Sequence, residues 1–186
     1  MVNGAAPAVF LDRDGVIVVP EFRDRRSYAP RRLEDFRLYP EARASLERLK
    51  AAGFIIVVVT NQPDIGKGLI APATIDAMHR IMMQELPIDA VKTCIHTAAE
   101  NCDCRKPKPG MLVAAAAELG IDFARSFMVG DRKSDIEAGR AVGCTTIFVD
   151  LDYEEPYPDK PDFVVRSIAQ ATDIILRTNS AMQEAS

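Results

Sequence analysis

Two sets of side chains in this 186-residue chain could do chemistry. The first is the stretch "CIHTAAENCDCRKPKPG" at 94–110, where Cys94, His96, Cys102 and Cys104 fall within eleven residues and lead straight into Arg105 and Lys106. Three thiolates and one imidazole are a tetrahedral zinc set. All four positions come from protein, so such a site is structural rather than catalytic. A disulfide would use two of the cysteines and leave the third and the histidine unexplained, and no C-x-x-C redox pair is present. Three thiolates around a dication leave net negative charge, which suits the basic neighbours.

The second set is spread along the chain and is made of carboxylates. "FLDRDGV" places Asp12 and Asp14 two residues apart, with Gly15 next. Two carboxylates leaving an apolar strand are costly to desolvate unless something neutralises them. Mg²⁺ takes oxygen ligands and would do so; "DRDG" is also good turn chemistry. "GDRKSDI" adds Asp131, placed to complete a metal site, and Asp135 one helical turn on, where helix capping is the competing role. Thr60 in "VVVTNQ" could hold a phosphate oxygen through its hydroxyl and nearby N–H groups, or simply cap a loop. Lys106 could lie against the same phosphate or be a solvated surface charge. His79 reads as a surface or packing residue, and Cys144 as a core residue.

The elements that must position these groups alternate in type. "AVFL" at 8–11 has strand length and ends at Asp12. "FIIVVVT" at 54–60 is apolar and largely β-branched, the pattern of a strand buried on both faces. Further strands are predicted at 88–96, 126–131 and 144–150, and helices at 40–52, 71–86, 109–120, 132–143 and 167–178. A proline near the start and a glycine at the stop delimit the helices at 40–52 and 109–120. Residues 152–162 read as a Pro-rich loop. The alternation predicts one α/β domain of Rossmann-like type, a mainly parallel sheet flanked by helices, with its core over about 8–177 and a fraying tail over 178–186. In such sheets ligands bind beyond the carboxyl ends of the strands. Asp12 and Asp14, then Thr60, Asn61 and Gln62, then Asp131 and Asp135 all fall there, and the Cys/His stretch follows the third strand.

Composition narrows the function classes. A formal net charge of -4 gives no general attraction to nucleic acid or acidic membranes. No run of about 18 apolar residues is present. The start "MVNGAAPAVFLDRDG" lacks the basic opening of a signal peptide. These features predict a cytoplasmic protein with neither nucleic acid nor membrane as partner. In a reducing compartment clustered cysteines bind metal or do redox chemistry more often than they pair.

The order of motifs, an apolar run into DxDG, an apolar run into TN, a lysine before a helix and an apolar run into GDxxxD, resembles the haloacid dehalogenase-like (HAD) phosphohydrolase superfamily. The match runs from residue 8 to about 150. The resemblance implies a HAD-type phosphatase domain without a large cap, a monomer acting on a small phosphorylated metabolite. Asp12 would be the nucleophile, Asp14 the general acid/base, and Thr60 and Lys106 the phosphate binders. Mg²⁺ would be held by Asp12, the Asp14 carbonyl and Asp131, with Asp135 behind them orienting Lys106 or a metal-bound water. The zinc loop "CDCRKPKPGM" with its upstream C-x-H is similar to that of the bacterial heptose bisphosphate phosphatases and the related histidinol-phosphate phosphatases. "RKPKPGML" and "VTNQPDIGKG" look like the heptose group. The short gap between His96 and Cys102 and "GDRKSDI" look like the histidinol group. The heptose reading implies hydrolysis of D-glycero-D-manno-heptose 1,7-bisphosphate at the 7-phosphate, in lipopolysaccharide biosynthesis. Asn61, Gln62, Lys67 and Arg105 would then face substrate, the two cations meeting the second phosphate. The heptose enzymes generally carry Thr where this chain has Val16. Histidinol phosphate is the alternative substrate, and a zinc-stabilised binding domain with an inactive site is the alternative of another class.

Overall fold

The computed structural model describes residues 5–23 and 25–184. The first four residues, part of the opening read for a signal peptide, and the last two of the tail lie outside it. Six strands form one sheet: β1 (Ala8–Leu11), β4 (Ile55–Asn61), β5 (Ala90–Cys94), β6 (Phe127–Gly130), β7 (Thr145–Val149) and β8 (Phe163–Val165). Their order is β5-β4-β1-β6-β7-β8, and every neighbouring pair is parallel.

Each inner strand is apolar on both faces because each face meets helices. Val9, Leu11, Ile56, Val58 and Val129 point into one core. There they meet α1 (Ala42–Ala51), α3 (Pro72–Glu85) and α6 (Ile168–Glu184). Ala8, Phe10, Val57, Val59 and Met128 alternate with them and point into the other, against α4 (Gly110–Leu119) and Ala138 of α5 (Lys133–Ala141). Strand period two thus splits one run of apolar residues between two cores. Cys144 is buried in the second core, as its position suggested.

Chain order decides where the cleft lies. From β1 the chain moves outward to β4 and β5, then crosses back to β6 on the other side of β1. The connections leaving β1 and β6 therefore diverge, and a crevice opens between their carboxyl ends. Asp12 follows β1 and Asp131 follows β6, so both stand at this switch point.

Three features differ from the sequence reading. Residues 16–39 include a short hairpin, β2 (Glu21–Arg23) with β3 (Arg26–Tyr28), whose charged strands carry no apolar period. Residues 163–165 form an edge strand in which only Val165 is buried, too short to register as a pattern. The tail does not fray at 178: α6 continues to Glu184. Asn179 is buried and extends the stripe of Ile168, Ala171, Thr172 and Ile175, and no Gly or Pro interrupts the helix.

Candidate active site and metal centre

The site is built from strand ends. Asp12 leaves β1, whose neighbour β6 ends at Gly130 and delivers Asp131. Gly15 adopts φ 87°, and a side chain there would collide with the Asp131 carboxylate. A side chain at Gly130 would collide with Asp135, so these two glycines allow three acids to crowd together. Carboxylate oxygens of Asp12, Asp131 and Asp135 all lie within 4.8 Å of one another, and all three residues are buried.

One cation sits among them. The Lys106 ammonium lies 2.8 Å from Asp12 Oδ1 and 2.7 Å from Asp135 Oδ1, and donates to the Val59 carbonyl at 2.6 Å. Burial alone would lower the lysine, but the charges of Asp12 and Asp135 override it and hold the ammonium raised. Asp135 also accepts from the Arg132 backbone N–H at 3.0 Å through Oδ2, so both of its oxygens are engaged. The capping and lysine-orienting roles read for Asp135 are therefore both present. Burial pushes Asp135 up to about 6, with Asp12 adding to it and Lys106 opposing.

Asp131 stands apart. Its Oδ2 accepts from the Tyr153 hydroxyl, while its buried Oδ1 has no hydrogen-bond partner. Burial first, then the charges of Asp12 and Asp135, hold the Asp131 carboxyl well above the usual range. Three buried carboxylates outnumber the Lys106 ammonium and the nearby Arg132 guanidinium, so the site is still short of positive charge. An unpaired buried oxygen facing two other acids is what a divalent cation would satisfy, so the residues fit Mg²⁺.

Asp14, Thr60 and Gln62 form a second layer. Gln62 Nε2 donates to Asp14 Oδ2 at 2.8 Å and to Thr60 Oγ1 at 2.9 Å. Thr60 is fully buried, so its hydroxyl faces Gln62 rather than open space. Asn61 holds the backbone of Lys106, giving to its carbonyl at 3.1 Å and accepting from its N–H at 3.2 Å. Gln62 and Asn61 line the cleft, yet their amides serve Asp14 and the Lys106 loop. The cleft, about 540 Å³, runs from Asp12 and Asp14 out to Arg26, Lys67 and Arg105. Lys67 is half exposed and 3.4 Å from Asp64, and Arg105 reaches the His96 carbonyl at 3.2 Å.

The Cys/His group gathers as its spacing suggested. Cys94 to Cys102 is 3.6 Å, Cys102 to Cys104 3.4 Å, Cys104 to His96 Nδ1 3.3 Å and Cys94 to His96 Nδ1 3.7 Å. Zinc–sulfur bonds of about 2.3 Å around a tetrahedron put sulfurs roughly 3.8 Å apart, so a metal fits these edges. All four cysteines are free thiols.

Sequence reasoning missed several residues of the site. Arg13 stands between the two aspartates of the first motif, and its side chain is fully buried against Asp14. Tyr153 lies in the Pro-rich loop and carried no motif. Arg132 bridges the hairpin and that loop: it donates to the Ser27 carbonyl at 2.8 Å and pairs with Glu155 at 3.0 Å. Only the position of Arg132 directly after Asp131 could have flagged it.

A family model described as HAD-hydrolase-like matches residues 103–171. The chain is 38% identical over 149 residues to the D-glycero-beta-D-manno-heptose-1,7-bisphosphate 7-phosphatase of Rhodopseudomonas palustris, across 74% of this chain and 79% of that protein. It is 31% identical to the enzyme of the same name from Escherichia coli K12, across 96% and 98% of the two chains. Among solved structures it resembles the D,D-heptose 1,7-bisphosphate phosphatase of B. bronchiseptica complexed with magnesium and phosphate. The TM-score is 0.78 at 27% identity, over 92% of this chain and 99% of that one.

Proposed function

Because this chain belongs to the heptose-1,7-bisphosphate 7-phosphatases of the HAD-like superfamily, we propose that it removes the 7-phosphate of D-glycero-D-manno-heptose 1,7-bisphosphate. The observation that carries the reading is the Lys106 ammonium shared by Asp12 and Asp135 beside the unpartnered Asp131 oxygen, at the floor of a cleft with a basic rim.

Asp12 attacks phosphorus. The Asp12 oxygen–phosphorus bond forms, the bond to the sugar O7 breaks, and Asp14 gives that oxygen its proton. Water then attacks phosphorus, Asp14 takes a proton from it, and phosphate leaves as Asp12 is freed. Lys106 neutralises phosphoryl oxygens and keeps Asp12 oriented, with Asp135 and the Val59 carbonyl holding the ammonium in place. Thr60 contributes by fixing Gln62 through its hydroxyl. A Mg²⁺ ion held by Asp12, the Asp14 carbonyl and Asp131 would offset phosphate charge and polarise the group transferred. Arg105 and Lys67, joined by Arg26 of the hairpin, supply cations for the second phosphate away from this centre.

The Cys94, His96, Cys102 and Cys104 cluster holds a structural zinc in this reading and so fixes the loop that presents Arg105 and Lys106. Free thiols suit a reducing cytoplasm. No helix among the described residues is long and apolar enough to cross a membrane. The enzyme works as a monomer on a small sugar phosphate.

The test is a side-by-side rate comparison with Mg²⁺ on heptose 1,7-bisphosphate and histidinol phosphate, with ³¹P spectra to locate the phosphate removed. Faster release from the bisphosphate, leaving a 1-phosphate, is the expected outcome. Faster hydrolysis of histidinol phosphate, or loss of the 1-phosphate first, would count against it.

A further inference from the structure

The residue between the two aspartates of the first motif is, among the described residues, the largest side chain wholly removed from solvent. Arg13 is 0% exposed, although it lies beside a cleft open to water. A guanidinium cannot give up its proton, so burying one demands partners for its charge and its donors. Asp14 supplies the charge. Arg13 Nε donates to Asp14 Oδ2 and Nη2 to Asp14 Oδ1, each at 3.1 Å, a two-pronged contact that fixes the plane of the carboxylate. Arg13 Nη1 lies 3.2 Å from His79 Nε2 on α3. Arginine only donates, so Nε2 must be the accepting nitrogen and the ring proton sits on Nδ1. The Phe36 ring lies 5.8 Å from the guanidinium carbon and closes the remaining face.

The geometry points to Arg13 and His79 as positioning residues for proton transfer: His79 and Phe36 fix Arg13, and Arg13 fixes the carboxyl group of Asp14. The inference rests on the reading of Asp14 as general acid/base. Gln62 reaches Asp14 Oδ2 at 2.8 Å, so both oxygens are held and the side chain keeps only 14% exposure toward the cleft. A protonated carboxyl still offers Arg13 its carbonyl oxygen, so the fork can hold Asp14 through the transfer. Placement matters because a misplaced acid loses the transition state before it loses the substrate. His79 lies on α3, outside the motifs, and does not line the cleft.

Leaving-group chemistry separates this role from a merely structural one. A sugar alkoxide needs a proton in order to leave; p-nitrophenolate leaves without one. The value of kcat/KM reports the steps through phosphoryl transfer to Asp12, where that proton is given. The experiment measures kcat/KM for the heptose bisphosphate and for p-nitrophenyl phosphate in wild type, His79→Leu, His79→Gln and Arg13→Lys. For the sugar phosphate, His79→Leu is expected to lose roughly 10-fold and Arg13→Lys roughly 100-fold, with less than about 2-fold lost on the aryl ester. His79→Gln keeps an accepting oxygen for Arg13 and should recover part of the loss. An equal fall on both esters, or no change in their ratio, would overturn the inference. If Arg13→Lys fails to fold, the two His79 variants decide. If wild type prefers histidinol phosphate, that alkyl ester replaces the bisphosphate: the substrate proposal then falls, and the alkyl-to-aryl ratio still tests the positioning role.

Discussion

Two side-chain clusters that could hold a metal are built in opposite ways in this phosphatase. Cys94, at the end of β5, and His96, Cys102 and Cys104, in the segment that follows, lie along the edges of one tetrahedron. Asp12, Asp131 and Asp135 come from two strand ends and a helix start, over a hundred residues apart in sequence, and meet because β1 and β6 are neighbours. With zinc bound as proposed, the first group would gain stability from its metal. The second is shaped by the sheet, and its crowded carboxylates add strain to the fold that Lys106 only partly relieves. On the proposed reading, one group would add stability to the fold and the other would cost stability to form a reactive centre.

The sharpest way to break this contrast is to remove one ligand from each group. Asp12→Asn should abolish turnover, by at least ~10³-fold as loss of a covalent nucleophile does. Its metal-free melting temperature should stay level or rise, because one of three crowded buried carboxylates is neutralised. Near-normal turnover would remove Asp12 as nucleophile. A large drop in melting temperature would show that the acid cluster is structural after all.

Cys102→Ser is the matching test at the other group. One zinc per chain should be found in reduced wild type by metal analysis and lost in the variant, with a fall in melting temperature of roughly 5–10 °C. Because Arg105 and Lys106 follow the cluster directly, KM for the sugar phosphate should rise before kcat falls. Metal content near zero in freshly purified protein, or an unchanged melting temperature, would contradict the closed-site reading.

The contrast also explains what could be read from sequence. The Cys/His group was legible because its ligands are local and its chemistry is carried by residue type alone. The acid site was legible through Asp12, Asp14, Asp131 and Asp135, because apolar runs announce strands and the polar residues ending them must share one edge. The inward direction of Thr60 and Gln62 was not legible, since it depends on which amide meets which hydroxyl across β4. Arg13 was hidden for the same reason: its partner His79 is 66 residues away and on a helix with no motif. Tyr153 and the hairpin lie on segments without period, where only tertiary contact gives a residue its meaning. The end of α6 was misjudged because a polar chain terminus is expected to fray, yet Asn179 occupies the buried stripe.

Tyr153 sharpens the contrast by a smaller effect. Its hydroxyl donates to Asp131 Oδ2, on the side opposite the unpartnered oxygen, so it orients a carboxylate that is itself offered to the ion. Tyr153→Phe should raise the Mg²⁺ concentration for half-maximal rate by about 3- to 10-fold and leave kcat at saturating Mg²⁺ within about 2-fold. An unchanged Mg²⁺ requirement would show that the sheet alone positions Asp131.

The smallest expected effect lies behind the acid site, at His79. Burial, then the charge of Arg13, pushes this imidazole down from 6.5 to about 4, with Asp76 opposing weakly. Above pH 6.5 both folded and unfolded chains leave His79 neutral, and its ionisation has no effect on stability. Between 6.5 and about 4 the unfolded chain binds a proton that the folded chain refuses, so stability falls as the pH drops. His79→Gln has no such proton and keeps an acceptor for Arg13. Melting temperatures of wild type and variant, followed from pH 7.5 to pH 5, should therefore converge as the pH falls, because the carboxylates contribute alike to both. Parallel curves would show that His79 takes up its proton freely in the folded state. In that case Arg13 would face a second positive charge, and the fork holding Asp14 would be anchored by Phe36 and Gln62 alone.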